Sequence, residues 1–352
     1  LISINKRHTG KTNKYFNERH DWNSLLSNDS ELSFTRYSQD MFPQADDLVK
    51  YLNDFANKLN LNIQYKSEVK SIKRNPELYN GHDHFTMKLS GGETVGCGTV
   101  IVATGMSLPN TPVFEGMEYT NTYESLPLDP REYEGQKVLI LGNGNSAHET
   151  AAHIYGHTSS VHLCSRSRIR LAWTTHYVGD IRAVNNEVLD TYQLKALDGV
   201  LQVDVREMAI RKTKRGKFKI EMNSTENQSL KRKLESPELP LRESYDRIIS
   251  CLGFKFDSSI LPRIASSPHR EAKYPPIFHT YESRDTPGLF FAGTVTHSLD
   301  YRKSAGGFIH GFRYTARALH RILEFRNHGN CWPSKQYNMY QIVQTVLKYI
   351  NQ

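Results

Sequence analysis

The sequence predicts an α/β protein built on a parallel sheet, and three observations carry that prediction. Strand-like and helix-like runs alternate through the middle of the chain, as they do when helices join parallel strands. One apolar run, KVLIL, stops at a Gly-x-Gly turn and gives way at once to a helical pattern. Two further apolar runs, TVIVATG (99–105) and YDRIISCLGF (245–254), also end on a glycine.

In chain order, a polar opening precedes DDLVKYLNDFANKLN, where Leu48, Tyr51, Leu52, Phe55 and Leu59 recur at helical spacing. NIQY and a β-type run follow, then TVIVATG. Residues 113–135 read as a connector, punctuated by Pro127, Pro130 and Gly135. A strand–turn–helix–strand unit comes next: KVLIL, the glycine turn, SAHETAAHIYG and SVHLCSR. Residues 205–245 carry β-type pieces such as KFKIEM and a polar loop. YDRIISCLGF and GLFFAGT are further strands. A helix is expected over SAGGFIHGFRYTARALHRILEF, with Phe312, Ala316, Leu319 and Leu323 on one face. MYQIVQTVLKYI is a short amphipathic helix.

At 352 residues, 38% hydrophobic and 23% charged, the composition is that of a globular protein with room for two or three domains. No apolar stretch approaches the ~20 residues of a membrane span. The net charge of +8 invites a nucleic-acid partner, but Lys and Arg are dispersed. The densest cluster is taken to be Lys231-Arg232-Lys233, in a solvated loop, and no nucleic acid is expected. Binding of anionic cofactors explains part of the excess. Cys97, Cys164, Cys251 and Cys331 form no CxxC, so neither a zinc site nor a local redox dithiol is expected. Cys164 and Cys251 sit in apolar runs and read as buried, inert thiols. Sequons at Asn28, Asn223 and Asn227 give weak support for a secretory location. The start at Leu1, inside a strand-like run, is read as a piece of a longer protein.

Gly142-Asn143-Gly144-Asn145-Ser146-Ala147 fits G-x-G-x-x-G/A. The first glycine allows the tight turn, and the second admits a pyrophosphate. The small third residue lets helix and strand pack closely. The pyrophosphate then meets the free N–H groups of a helix start. The motif follows a strand and opens a helix, the context that makes it a Rossmann-type dinucleotide site. An NAD site would place Asp or Glu roughly twenty residues on. Here that window reads CSRSRIR, with Arg166, Arg168 and Arg170 and no acid. A guanidinium forks a phosphate, so NADPH is expected, held by Arg166 first and Arg168 second.

Together, ATG at 103–105, GxGxSA at 142–147 and the Ser-Arg after the next strand resemble the flavin-monooxygenase-like branch of the pyridine nucleotide-disulfide oxidoreductase superfamily. The strings LISINKRHTGK, HDWNSLL, THYVGDIRAVNN, LDTYQLKALDG and DYRKSAGGFIHGFRYTARA are similar to one group of flavoproteins within it, associated with degradation in the endoplasmic reticulum. The resemblance implies two Rossmann-like domains, the NADPH domain inserted into the FAD domain. It implies FAD-domain parts at 1–112 and 249–325, the connector at 113–135, the NADPH domain at 136–248 and a helical extension at 326–352. The FAD pyrophosphate loop of this family lies in an upstream βαβ unit that the sequence lacks. Thr104-Gly105 and Leu252-Gly253 would be hinges bordering FAD. Gly293-Thr294, Ser304 and Ala305 would approach the flavin, with Thr294 where relatives carry Asp. Asn5 matches an Asn that borders the flavin in relatives.

For chemistry, a dithiol route lacks its CxxC. Monooxygenase relatives carry Phe-x-Gly-x-x-x-His before the second glycine turn; Phe114 and Gly116 fit, but Thr120 replaces the His. His176, His297 and Asp300 are the candidate proton-handling residues. Arg302 and Lys303 are candidates to stabilise reduced flavin. The resemblance implies an NADPH-dependent FAD oxidoreductase of the endoplasmic-reticulum lumen that supports disulfide reduction in misfolded glycoproteins. Its partners would be degradation machinery: a ubiquitin-ligase adaptor, a lectin and a lumenal reductase. The alternatives are a flavin-bound scaffold without turnover, or a flavin-dependent N/S-monooxygenase. No metal site is expected.

Overall fold

The computed structural model describes residues 29–40, 43–75, 84–167, 200–222, 244–261, 273–300 and 306–351. They form two compact units. One is discontinuous, 1–106 with 256–352, and the other is the intervening 107–255. An inserted domain is therefore present, wider than the 136–248 read from the sequence.

The discontinuous unit opens with helix α1 (Ala45–Lys58), whose Tyr51 is buried against Leu32 and Phe34. Leu52 and Leu59 of the expected apolar face are instead about half exposed, and NIQY forms no strand. Strands β1 (Val69–Arg74), β2 (Phe85–Leu89) and β3 (Thr94–Cys97) make an antiparallel sheet. Strand β4 (Val100–Val102) follows, its outer residue Ile101 half exposed.

In the inserted unit, β5 (Leu108–Pro109) is followed by β6 (Asn121–Thr122), β7 (Lys137–Leu141), helix α2 (Asn145–Ile154), β8 (Ser160–Ser165) and β9 (Val200–Gln202). A hairpin of β10 (Met208–Lys212) and β11 (Phe218–Met222) comes next, then β12 (Arg247–Ser250) and β13 (Phe254–Lys255). The main sheet is five-stranded and parallel, in the order β6-β12-β7-β8-β9. Central β7 is apolar without alternation because both its faces are covered: Val138, Leu139, Ile140 and Leu141 have no exposed surface. Each such side chain contributes roughly 1.5–3 kcal/mol by burial. Leu139 and Leu141 pack with Ile210 and Ile220 of the hairpin. Val138 and Ile140 pack with Ala147, Ala151 and Ile154 of α2.

The wider unit has a simple cause. The expected connector supplies β6, which pairs with β12, so 121–122 belong to this sheet. Likewise β13 pairs antiparallel with β5, and Asn110 N–H donates to Gly253 O (2.8 Å). The stretch 249–255, expected in the FAD domain, is thereby held in the inserted unit.

Back in the discontinuous unit, β14 (Leu289–Phe291) pairs parallel with β4. A 3₁₀ helix over Gly293–Ser298 follows, then helix α3 (Ile309–His328) and helix α4 (Ile342–Asn351). Helix α3 starts at Ile309, later than SAGG suggests, because Asp300 takes the Gly306 N–H (3.0 Å) and fixes a turn ahead of it. Leu319 is its buried apolar residue, with Phe312 and Leu323 half-buried. Ala316, expected on that face, is exposed. No helix of the described residues is long and apolar enough to cross a membrane.

Candidate functional site

The glycine turn forms as its residues dictate. Gly142 has φ +125°, a left-handed conformation, and an added Cβ would lie 2.3 Å from the Cys251 carbonyl oxygen. Only glycine fits there. Gly144 is the N-cap of α2, and an added Cβ there meets nothing within 4 Å. A glycine cap has no side chain to close the first helical turn, and that turn carries no acid. The positive end of the helix dipole therefore lies beside a glycine whose Cβ position is open. Ala147 has no exposed surface and packs under the sheet, so a larger residue would push the helix away.

Asn143 Nδ2 donates to Ser167 O (2.7 Å), which ties the turn to the segment after β8. Arg166, in that segment, is exposed and has no ion-pair partner among the described residues. A carboxylate that the sequence window did not show lies near it. Asp204, after the neighbouring β9, has its pKa lowered chiefly by hydrogen bonds from Arg206, and Arg166 adds a smaller contribution. Linear spacing cannot reveal Asp204, because it arrives on the adjacent strand.

Helix α2 also buries His148, a residue the sequence reading passed over. It has no exposed surface, and neither ring nitrogen has a hydrogen-bond partner among the described residues. Burial pushes its pKa down to about 4. Cys164 and Cys251 are buried as expected, and burial pushes both thiols up to about 12. All four cysteines are free.

In the discontinuous unit, Gly105 (φ +70°) and Gly293 (φ +77°) both turn away from strand ends, and an added Cβ at either meets nothing within 4 Å. Thr104 is exposed and Thr294 half-buried. His297 is fully buried, ringed by Tyr274 and Phe308 (centroids 6.2 and 5.2 Å away). Its Nδ1 lies 3.3 Å from Asp300 Oδ1. Burial lowers its pKa, with Asp300 opposing. Structure brings His297 and Asp300 together, with the imidazole in the interior and the carboxylate partly exposed. Leu252 and Gly253 lie with the glycine turn in the inserted unit. Asn5, Arg168, His176, Arg302, Lys303, Ser304 and Ala305 lie outside the described residues. Among the described residues no cluster could hold a metal ion.

Residues 11–293 match the pyridine nucleotide-disulphide oxidoreductase family. The chain belongs to that family. Its whole length is 49% identical to mouse FAD-dependent oxidoreductase domain-containing protein 2 and 43% identical to the zebrafish protein of that name. The chain spans 55% and 56% of those two relatives, about half their length. Among solved structures, a flavin-containing monooxygenase from Stenotrophomonas maltophilia superposes with a TM-score of 0.58 at 17% identity, covering 82% of this chain and 79% of that one. Bacillithiol disulfide reductase from Staphylococcus aureus does so with 0.59 at 15% identity, covering 87% and 84%. The fold is thus the FAD/NAD(P)-binding one.

Family membership implies a flavin and a nicotinamide nucleotide. The described residues fit the nucleotide: a forced glycine, an open glycine, a helix start with a glycine N-cap and an exposed guanidinium. For the flavin they offer two open strand-end glycines, Gly105 and Gly293, and the threonines beside them.

Proposed function

We propose that this chain is the nucleotide-handling part of an NADPH-dependent FAD oxidoreductase of the endoplasmic-reticulum lumen. One observation carries the NADPH reading: a turn with a glycine N-cap, joined through Asn143 to a segment presenting an exposed Arg166 that makes no ion pair among the described residues. Gly142 shapes the turn, Gly144 leaves room for a pyrophosphate, and the first N–H groups of α2 bind it. Arg166 forks the phosphate that distinguishes NADPH from NADH. Thr104, Gly105, Gly293 and Thr294 would border FAD. Bound together, the two cofactors supply hydride transfer from nicotinamide to flavin.

The lumenal setting rests on the long strings shared with the degradation-associated group, as do misfolded glycoproteins, a ubiquitin-ligase adaptor, a lectin and a lumenal reductase as partners. Buried, high-pKa Cys164 and Cys251 favour a reading in which a partner carries the dithiol chemistry.

Two measurements test the reading. Anaerobic protein is mixed with NADPH, and flavin absorbance at about 450 nm is followed. Fast bleaching is expected; none over minutes would favour the scaffold alternative. Calorimetry of Arg166→Ala should show NADP⁺ binding weakened by about tenfold to a hundredfold, and NAD⁺ binding little changed. Equal weakening of both would remove Arg166 as the phosphate ligand.

A further inference from the structure

We propose that the tip of the β10–β11 hairpin is a docking surface for an acidic polypeptide segment. The stretch RKTKRGKFK carries Arg211, Lys212, Lys214, Arg215, Lys217 and Lys219 within nine residues. That is denser than the 231–233 cluster singled out from the sequence. The charges straddle a turn, so they gather only when the hairpin folds. The tip is well built. Thr213 N–H donates to Lys217 O (2.8 Å), and Thr213 Oγ1 accepts from Lys217 N–H (3.1 Å). Gly216 supplies the left-handed residue at φ +78°.

Two of the six cations are neutralised. Arg211 pairs with Glu115 and Glu221, and Lys217 Nζ lies 2.9 Å from Asp246. Lys212, Lys214, Arg215 and Lys219 are exposed with no acidic partner among the described residues. Arg211 stands directly opposite Lys219 in the ladder.

Thr213, Lys214, Arg215, Lys217 and Ser244 line an open cavity of about 420 Å³. Among the described residues its walls hold three cations, one of them the paired Lys217, and two hydroxyls, and no carboxylate. That chemistry takes carboxylate or phosphorylated side chains. The occupant is a polypeptide for two reasons. Phe218, the aromatic of the tip, is half-buried and packed on Tyr119 at 5.7 Å, so it is not a free platform for a nucleic-acid base. The tip exposes no apolar side chain to enter a lipid surface. Moreover, Lys212 and Lys219 stand on opposite faces of the ladder, so no single plane collects the charge.

The test uses the purified protein and a fluorescein-labelled oligoglutamate peptide, with anisotropy as the readout. An oligoglutamine peptide, vesicles containing phosphatidylserine and a short DNA duplex are the comparisons. The acidic peptide should bind, more weakly at higher salt. K214S/R215S changes two exposed turn residues and leaves Gly216 in place. It should weaken oligoglutamate binding by about tenfold or more, with an unchanged circular dichroism spectrum. A Lys50→Ser control, remote in sequence and in the other unit, should bind as the parent does. Three results overturn the proposal: binding no tighter than that of oligoglutamine, binding unaffected by K214S/R215S, or vesicles or DNA bound more tightly than the peptide with loss in that variant.

Discussion

Two strand-to-helix junctions among the described residues use the glycines next to the helix in opposite ways. After β7, Gly142 is forced by the Cys251 carbonyl, but Gly144 looks onto open space. After β14, Gly293 is open too, but the two glycines just ahead of α3 are filled by the protein itself. An added Cβ at Gly306 would lie 2.4 Å from Asp300 Oδ2, and at Gly307 it would lie 2.2 Å from His297 Cβ. A glycine facing open space keeps room for something outside the polypeptide. One filled by a neighbouring side chain keeps room for the fold. Each junction also buries a histidine, unpartnered in the first (His148) and beside a carboxylate in the second (His297).

The largest expected effect breaks the first junction. Gly142→Ala puts a Cβ into a carbonyl oxygen at a backbone angle that L residues rarely adopt. It should cost about 4 kcal/mol in urea unfolding. Gly144→Ala is the informative partner. Its φ of −84° suits any residue and its Cβ meets nothing, so stability should stay within about 0.5 kcal/mol. NADP⁺ binding should nevertheless fall by about tenfold or more, because the added methyl occupies the approach of the pyrophosphate. If Gly144→Ala binds as the parent does, the open space is not a cofactor site.

Acid separates the two histidines. The folded pKa of His148 is depressed from 6.5 to about 4. The unfolded chain therefore binds a proton at higher pH than the folded one. The stability at stake is fully present above pH 6.5 and is lost as pH falls from there towards 4. The loss reaches about 3 kcal/mol. His148→Leu should remove that part of the pH dependence and raise stability near neutrality by about 1 kcal/mol, since it deletes a buried polar ring without a partner. An unchanged slope of stability against pH would place the titration elsewhere. His297 shifts in the same direction, but Asp300 favours its charged form, so its share is smaller.

The first junction was legible because its signals are local. KVLIL, the glycine spacing and the strand SVHLCS fall within one window, and the buried thiols at Cys164 and Cys251 follow from the apolar runs that contain them. What sequence hid is non-local. Residues 121–122 read as a connector because two residues carry no periodicity, and only β12 makes them a strand. Asp204 reaches the neighbourhood of Arg166 from the adjacent strand. The late start of α3 depends on a carboxylate six residues ahead of Gly306. His148 went unmarked, since nothing in HETAAH reveals that its ring is enclosed.

The second junction can be broken and mended, which is the sharpest check on the contrast. Gly307→Ala forces its methyl into the His297 side chain at Cβ, Cγ and Nδ1, so a terminal rotation cannot relieve it. A cost of about 2 kcal/mol is expected. In a His297→Gly background the whole side chain, Cβ included, is gone, and the same substitution should cost less than about 0.5 kcal/mol beyond the cost of His297→Gly itself. A coupling energy of this size means that Gly307 is small for the sake of His297. Additive costs would mean that the glycine answers to another constraint, such as a ligand at the start of α3. The second junction would then be a cradle like the first.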